Sequence, residues 1–168
     1  MKLPDPRTAG SKNPGATNIL RLAGKLPAIV ALLGDMLKGL IPVVLAKLCH
    51  VEGIMLGFVG FAAFVGHLYP IFFKFKGGKG VATFFGVTFG LSIPIGFALI
   101  ITWLIVALLF RYSSLSALVA AITAPIYIAI FENIGYLIPL LLMVLLIIWK
   151  HRDNIKRLTI GEESKIHL

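Results

Sequence analysis

The sequence predicts an all-α polytopic membrane protein, a bundle of six transmembrane helices, some of them short. Three observations predict it. Of the 168 residues, 58% are hydrophobic and only 14% are charged, with a mean hydropathy of +0.96. A soluble domain carries nearer a quarter of its residues charged. Several uncharged tracts approach the length of about 20 residues that carries a helix across a bilayer. Those tracts are continuous rather than alternating, which excludes a β-barrel and leaves helices to satisfy the backbone in lipid.

Taken in order, residues 28–49 are mostly apolar but carry Asp35 and Lys38. Residues 53–73 are uncharged, with His67 as their titratable group. Val81–Phe110 is an uncharged run of thirty residues, followed by the uncharged runs Tyr112–Phe131 and Asn133–Trp149. As one helix the thirty-residue run measures about 45 Å, too long for a hydrocarbon core of about 30 Å. Ser92 and Pro94 sit in its middle, where a helix can break.

Charge decides between one span and two. Basic residues cluster in the N-terminal segment (Lys2, Arg7, Lys12, Arg21, Lys25), at Lys74, Lys76 and Lys79, at Arg111, and in the tail (Lys150, Arg152, Lys156, Arg157, Lys165). Fourteen of the sixteen cations lie in these clusters. Two short spans put all four clusters on one side, as the positive-inside tendency favours. Both termini are then cytoplasmic and every polar, glycine-rich segment falls at one membrane face.

The first 27 residues lack an apolar core segment, so no signal peptide is expected. No repeat or linker divides the chain, and residues 1–168 read as one integral-membrane domain. The lone Cys49 reads as a packed small hydrophobe. The net charge of +9 orients loops in such a protein, and no nucleic-acid module is present.

Three polar segments carry chemistry. "KFKGGKGVAT" surrounds Lys79 with Gly77, Gly78 and Gly80 ahead of an apolar run. Backbone N–H groups free of Cβ atoms, a following helix N-terminus and a lysine suit a phosphate. The residue after Lys79 is glycine, so this is no Walker motif; a tight turn with positive-inside lysines is the other reading. "GSKNPGATNILR" offers Ser11, Asn13, Thr17 and Asn18 as hydrogen-bonding groups, with Arg21 one helical turn beyond Asn18. An arginine fork suits phosphate oxygens; a capped surface loop is the alternative. The tail contributes His151, Asn154, Lys156 and Arg157, which equally complement a helix end and lipid headgroups. Ser113, Ser114 and Ser116 beside Arg111 read as a helix cap. Asp35 and Lys38, at i,i+3, read as a mutually neutralising pair. The histidines form no metal pattern, no GxSxG elbow is present, and no metal or other cofactor is expected.

"GSKNPGATN" with Arg21, "GHLYP", "KGGKGVAT" and "HRDNIKRL", supported by "GDMLKG" and "RYSSLS", occur in this order. Together they resemble the bacterial acyl-phosphate:glycerol-3-phosphate acyltransferases, the PlsY family, over almost the whole chain. The resemblance implies a multi-pass inner-membrane enzyme of phospholipid biosynthesis with its active site on the cytoplasmic side. It implies transfer of a fatty acyl group from acyl phosphate to the 1-hydroxyl of glycerol 3-phosphate, giving lysophosphatidic acid and phosphate. The donor's own phosphate would take the hydroxyl proton.

By motif, Lys79, Ser114 and Asn154 are the catalytic candidates. Ser11, Arg21, Gly77, Gly78, Gly80 and His151 are the substrate-binding ones, and Asn13, Asn18 and His67 are further candidates. Two departures stand out. Family members have seven spans, and their first helix precedes the start of this sequence, whose N-terminus is therefore expected in the cytoplasm. Lys12 stands where glycine is common. The competing class is a transporter of small phosphorylated anions, but such sites sit near the midplane rather than at one face.

Overall fold

The computed structural model describes residues 5–11 and 13–166; Lys2 and Lys12 lie outside them. All regular elements among the described residues are helical. They are α1 (Ala16–Ala23), α2 (Lys25–Leu48), α3 (Gly53–Leu68), α4 (Val81–Leu91), α5 (Ile93–Phe110), α6 (Ser113–Phe131), α7 (Leu137–Lys150) and α8 (Arg152–Thr159). Short 3-10 turns at Ile71–Phe73 and Ile134–Tyr136 follow α3 and precede α7.

Four segments are long and apolar enough to cross a membrane: α2, α3 with its 3-10 turn, α5 and α6. A fifth joins them if α7 and α8, bent by 57°, count as one. Of the six helices expected, some of them short, α4 falls below that length because the thirty-residue run divides unequally. Ser92 breaks it as predicted, its hydroxyl accepting from the Ile95 N–H while Pro94 sits in the first turn of α5. What precedes the break has eleven residues, about 16 Å of helix, roughly half a hydrocarbon core.

The short helix is central. Eight of the eleven residues of α4 are buried, so it faces protein rather than lipid. It packs on α2 so closely that a Cβ on Gly39 would collide with the Thr83 carbonyl, and one on Gly86 with the Met36 carbonyl. Small residues at such crossings let helix backbones touch where lipid offers no hydrophobic drive. Phe84, Val87 and Leu91 join Val43, Phe64 and Leu140 in the core. Buried polar groups are matched: the Thr83 hydroxyl donates to the Asp35 carbonyl at 2.9 Å and the Thr88 hydroxyl to the Phe85 carbonyl at 2.9 Å. In contrast, α5 turns Ile101, Leu104, Ile105 and Leu108 outward, as a lipid-facing helix does.

Where α4 stops short, Lys47 at the end of α2 reaches it: Nζ donates to the Leu91 carbonyl at 2.7 Å. The ammonium thereby satisfies a helix-terminal acceptor left by the break. Lys47→Ala is expected to lower stability by about 1.5 kcal/mol, the low end for a hydrogen bond from a charged donor because Lys47 is exposed, read as a lower unfolding temperature in detergent.

Candidate active site

Four segments far apart in sequence meet at one end of the bundle, around a cavity of about 690 Å³. The first loop and α1 bring Ser11, Asn13 and Arg21; the glycine loop brings Lys79; the start of α6 brings Ser114; the junction of α7 and α8 brings His151 and Asn154. Further along α4 and α5 from that end the lining includes the apolar Phe85, Ile100 and Trp103. The polar end therefore suits an anion and the deeper apolar lining a hydrocarbon chain. Gly80 and Ser114 line the same cavity, so α4 and α5 together leave this face and return to it. This is the arrangement that the charge pattern requires.

The first loop is built on Asn18, which is 1% exposed. Its Oδ1 accepts from the Ser11 N–H, and its Nδ2 faces the carbonyls of Pro6, Ala9 and Asn13 at 2.9–3.1 Å. The amide is committed to the loop's own backbone, which makes Asn18 a pin for Ser11 and Asn13. Gly10, at φ +60°, leaves room for that amide. The Thr17 hydroxyl meets that of Ser113 at 3.2 Å and ties α1 to α6. Arg21 is exposed, lines the cavity and has no ion-pair partner among the described residues.

The glycine loop differs from the phosphate cradle read from its composition. A Cβ on Gly77 would strike the His67 and Leu68 carbonyls, and one on Gly80, at φ +84°, would strike Phe64 and Leu68. The glycines let the loop lie flat on the end of α3, and that packing presents Lys79. Gly80 reaches the main cavity, whereas Gly77 and Gly78 line a second cavity of about 560 Å³ behind it. His67 lines both.

Lys79 Nζ donates to Asn154 Oδ1. Asn154 Nδ2 in turn donates to Glu163 Oε1 at 2.6 Å, and the Ser114 hydroxyl donates to the same oxygen at 2.7 Å. Arg157 Nε donates to Glu163 Oε2 at 2.7 Å. Glu163 is thus the hub through which the tail joins Lys79, Ser114 and Asn154. Sequence reading missed it. The one available signal was Gly161, whose positive φ of 76° turns the chain back after α8, so that Glu163 faces Asn154 nine residues before it.

Electrostatics follow from this cluster. Burial lowers the pKa of Lys79 from the ordinary lysine value; nearby Glu163 opposes the shift, while Arg157 and Arg21 add to it. Burial pushes the Glu163 carboxyl up, but hydrogen bonds from Ser114, Asn154 and Arg157 outweigh it and hold the group below the ordinary value. The cavity lining balances Arg21, Lys79 and Arg157 with Asp35, Glu162 and Glu163, so an anion is met by particular donors, Arg21 and Lys79, rather than by an excess of positive charge. His151 is 3% exposed. Its Nδ1 lies 2.8 Å from the Ile147 carbonyl and donates to it, so in the neutral ring Nε2 is an acceptor. No group of three or more candidate metal ligands occurs among the described residues.

The glycerol-3-phosphate acyltransferase family model matches residues 1–161. A glycerol-3-phosphate acyltransferase of Coxiella burnetii (strain Dugway 5J108-111) is 55% identical over 168 residues, covering 100% of this chain and 87% of the relative. That of Methylococcus capsulatus is 54% identical over 167 residues, covering 99% and 84%. Among solved structures, the glycerol 3-phosphate form of PlsY (YgiH), an integral membrane glycerol 3-phosphate acyltransferase, superposes with a TM-score of 0.93 at 39% identity. That match covers 98% of this chain and 83% of the other. Its lysophosphatidic acid form gives 0.89 at 39% identity, covering 94% and 82%.

Proposed function

This chain belongs to the glycerol-3-phosphate acyltransferase family, and from that premise we propose an acyl phosphate as the donor of the acyl group. Membership makes the protein a multi-pass membrane acyltransferase of phospholipid biosynthesis that acts on glycerol 3-phosphate. The products on this reading are lysophosphatidic acid and inorganic phosphate. A solved relative in a glycerol 3-phosphate form and a lysophosphatidic acid form supports the acceptor and the product.

The observation that carries the donor is the lining of the main cavity, which joins Arg21 and Lys79 to the apolar Phe85, Ile100 and Trp103 further along α4 and α5. Two phosphorylated reactants, one with a hydrocarbon tail, match it. The acceptor's 1-hydroxyl oxygen attacks the acyl carbon, the bond from that carbon to the phosphate oxygen breaks, and the phosphate departs. A mixed anhydride loses a stable anion, so no protein acid is required, and the departing phosphate takes the hydroxyl proton. Lys79 stabilises the charge that gathers on the phosphate during transfer. Arg21, without an ion-pair partner among the described residues, forks onto phosphate oxygens with Ser11. Ser114 and Asn154 complete the donor end. His151 Nε2, an acceptor, suits a glycerol hydroxyl better than a phosphate. The cation-rich face is placed in the cytoplasm by the positive-inside tendency, in the inner membrane of a bacterium.

Purified protein given labelled glycerol 3-phosphate is expected to make lysophosphatidic acid from acyl phosphate and not from an acyl thioester. Product from the thioester alone would overturn the donor assignment. Uptake of glycerol 3-phosphate into vesicles without acylation would revive a transporter.

The depressed pKa of Lys79 gives a pH dependence. Phosphate binding needs the ammonium, and a lowered pKa means the neutral amine accumulates at lower pH. The alkaline limb of kcat/KM is therefore expected below the ordinary lysine value of about 10.4. Lys79→Arg, if active, should remove that limb.

A further inference from the structure

We propose that Asp35 is a positioning residue for the reaction: it braces the glycine loop on both sides of Lys79, through His67 before it and Thr83 after it. The proposal rests on the role assigned above to Lys79. Asp35 sits in α2 with its side chain 14% exposed, an expensive place for a carboxylate in a membrane helix. Lys38 Nζ donates to its Oδ1 at 2.8 Å, which is the pair expected from sequence. That pairing accounts for the charge of Asp35 but not for its other contacts.

Two contacts point at the loop. Asp35 Oδ1 lies 3.5 Å from His67 Nδ1, and the His67 side chain is 11% exposed. The far edge of that imidazole backs Gly78, where an added Cβ would come within 2.7 Å of Nε2. The main-chain carbonyl of Asp35 accepts from the Thr83 hydroxyl at 2.9 Å, and Thr83 is fully buried in the first turn of α4. One residue thus holds the supports of Gly78 and of Thr83, and Lys79 lies between them. Asp35 and His67 also line both cavities, so the pair stands as the partition on which the loop rests.

An aspartate–histidine pair can also make a general base. Here the nitrogen that such a base would use is packed against the Gly78 backbone. The geometry assigns the ring to support rather than to proton transfer.

The test is a double-mutant cycle with a pH profile. Asp35→Asn and His67→Ala are each expected to lower kcat/KM for glycerol 3-phosphate acylation at least tenfold. The double variant should fall no further than about twofold below the poorer single, because coupled sites are not additive. In Asp35→Asn the alkaline limb should move up, towards ordinary lysine, as the loosened loop exposes Lys79. A merely structural role lowers the amount of active enzyme and leaves the limb in place. Direct loss of a negative charge would move it down. Additive losses, an unmoved limb or a lowered limb each overturn the proposal.

Should Asp35→Asn fail to fold, a second arm decides. His67→Ala alone should move the alkaline limb up, as the loosened loop exposes Lys79. An unmoved or lowered limb in that variant overturns the brace. A Lys79→Ala enzyme that still acylates takes down the reading of Lys79 and the brace together. An inert Lys79→Ala enzyme with an additive cycle takes down the brace alone.

Discussion

Lys79→Ala is expected to cut acylation of glycerol 3-phosphate by about a hundred- to a thousandfold, the cost of removing one preorganised donor from developing charge. The ammonium has three donors, and one is engaged by Asn154. The others are left for phosphate oxygens in a cavity where burial leaves the ammonium poorly solvated. Folding should survive the change. The substitution removes a desolvated cation and leaves the Asn154 carbonyl oxygen without its donor, at about 1 kcal/mol. Initial rates with labelled glycerol 3-phosphate, beside the unfolding temperature in detergent, separate the two effects. Near-normal turnover in a folded protein would remove Lys79 from the site.

The largest expected loss of stability belongs to Glu163→Ala. Its side chain is 8% exposed and accepts from Ser114, Asn154 and Arg157. Removing it leaves three donors without their acceptor and cuts the tail from α6. Breaking a buried pair costs about 3–5 kcal/mol. Arg157 is 39% exposed and can turn to water, so about 2–3 kcal/mol is expected here. For a chain of this size that corresponds to a Tm lower by about 5–10 °C. The pH dependence has a definite sign. A carboxyl held below its ordinary value contributes stability above the unfolded pKa of about 4.3, and the contribution is lost as pH falls through the folded value. The wild type should therefore lose more stability than Glu163→Ala on acidification through that range. An unchanged Tm, or parallel acid profiles, would show that the carboxylate does not anchor the tail.

Local chemistry made part of this architecture legible. Ser92 and Pro94 announce a helix start, because a hydroxyl cap and a fixed φ are properties of those residues themselves. The common face of Lys79, Ser114 and Asn154 followed from loop charge, which the bilayer converts into topology. The central position of α4 was not legible: Ser92 marks where it ends, but its apolar composition resembles that of α5, and only packing against α2 and α3 shows that it is buried in protein rather than facing lipid. The glycine loop shows the same limit. Its composition fits an anion cradle, yet Gly77 and Gly80 are required by the approach of α3, a contact that local spacing does not encode. Asp35 and Lys38 were visible as an i,i+3 pair. His67, which joins them, lies 32 positions from Asp35 and belongs to another helix. Glu163 was hidden for the same reason, since its partners Ser114 and Asn154 become neighbours only when α6 and the tail meet.

The two-ended main cavity bears on the direction in which this chemistry runs. With the proposed acyl phosphate donor, a reaction carried out at such a boundary would sort what it makes: the acylated glycerol ester would stay in the leaflet, whereas the orthophosphate released would dissolve in a volume far larger than the pocket. Reversal would require the two to meet again at the same spot, one drawn from a surface and the other from bulk solution. Partitioning between phases thus favours forward flux without any ratchet in the protein itself.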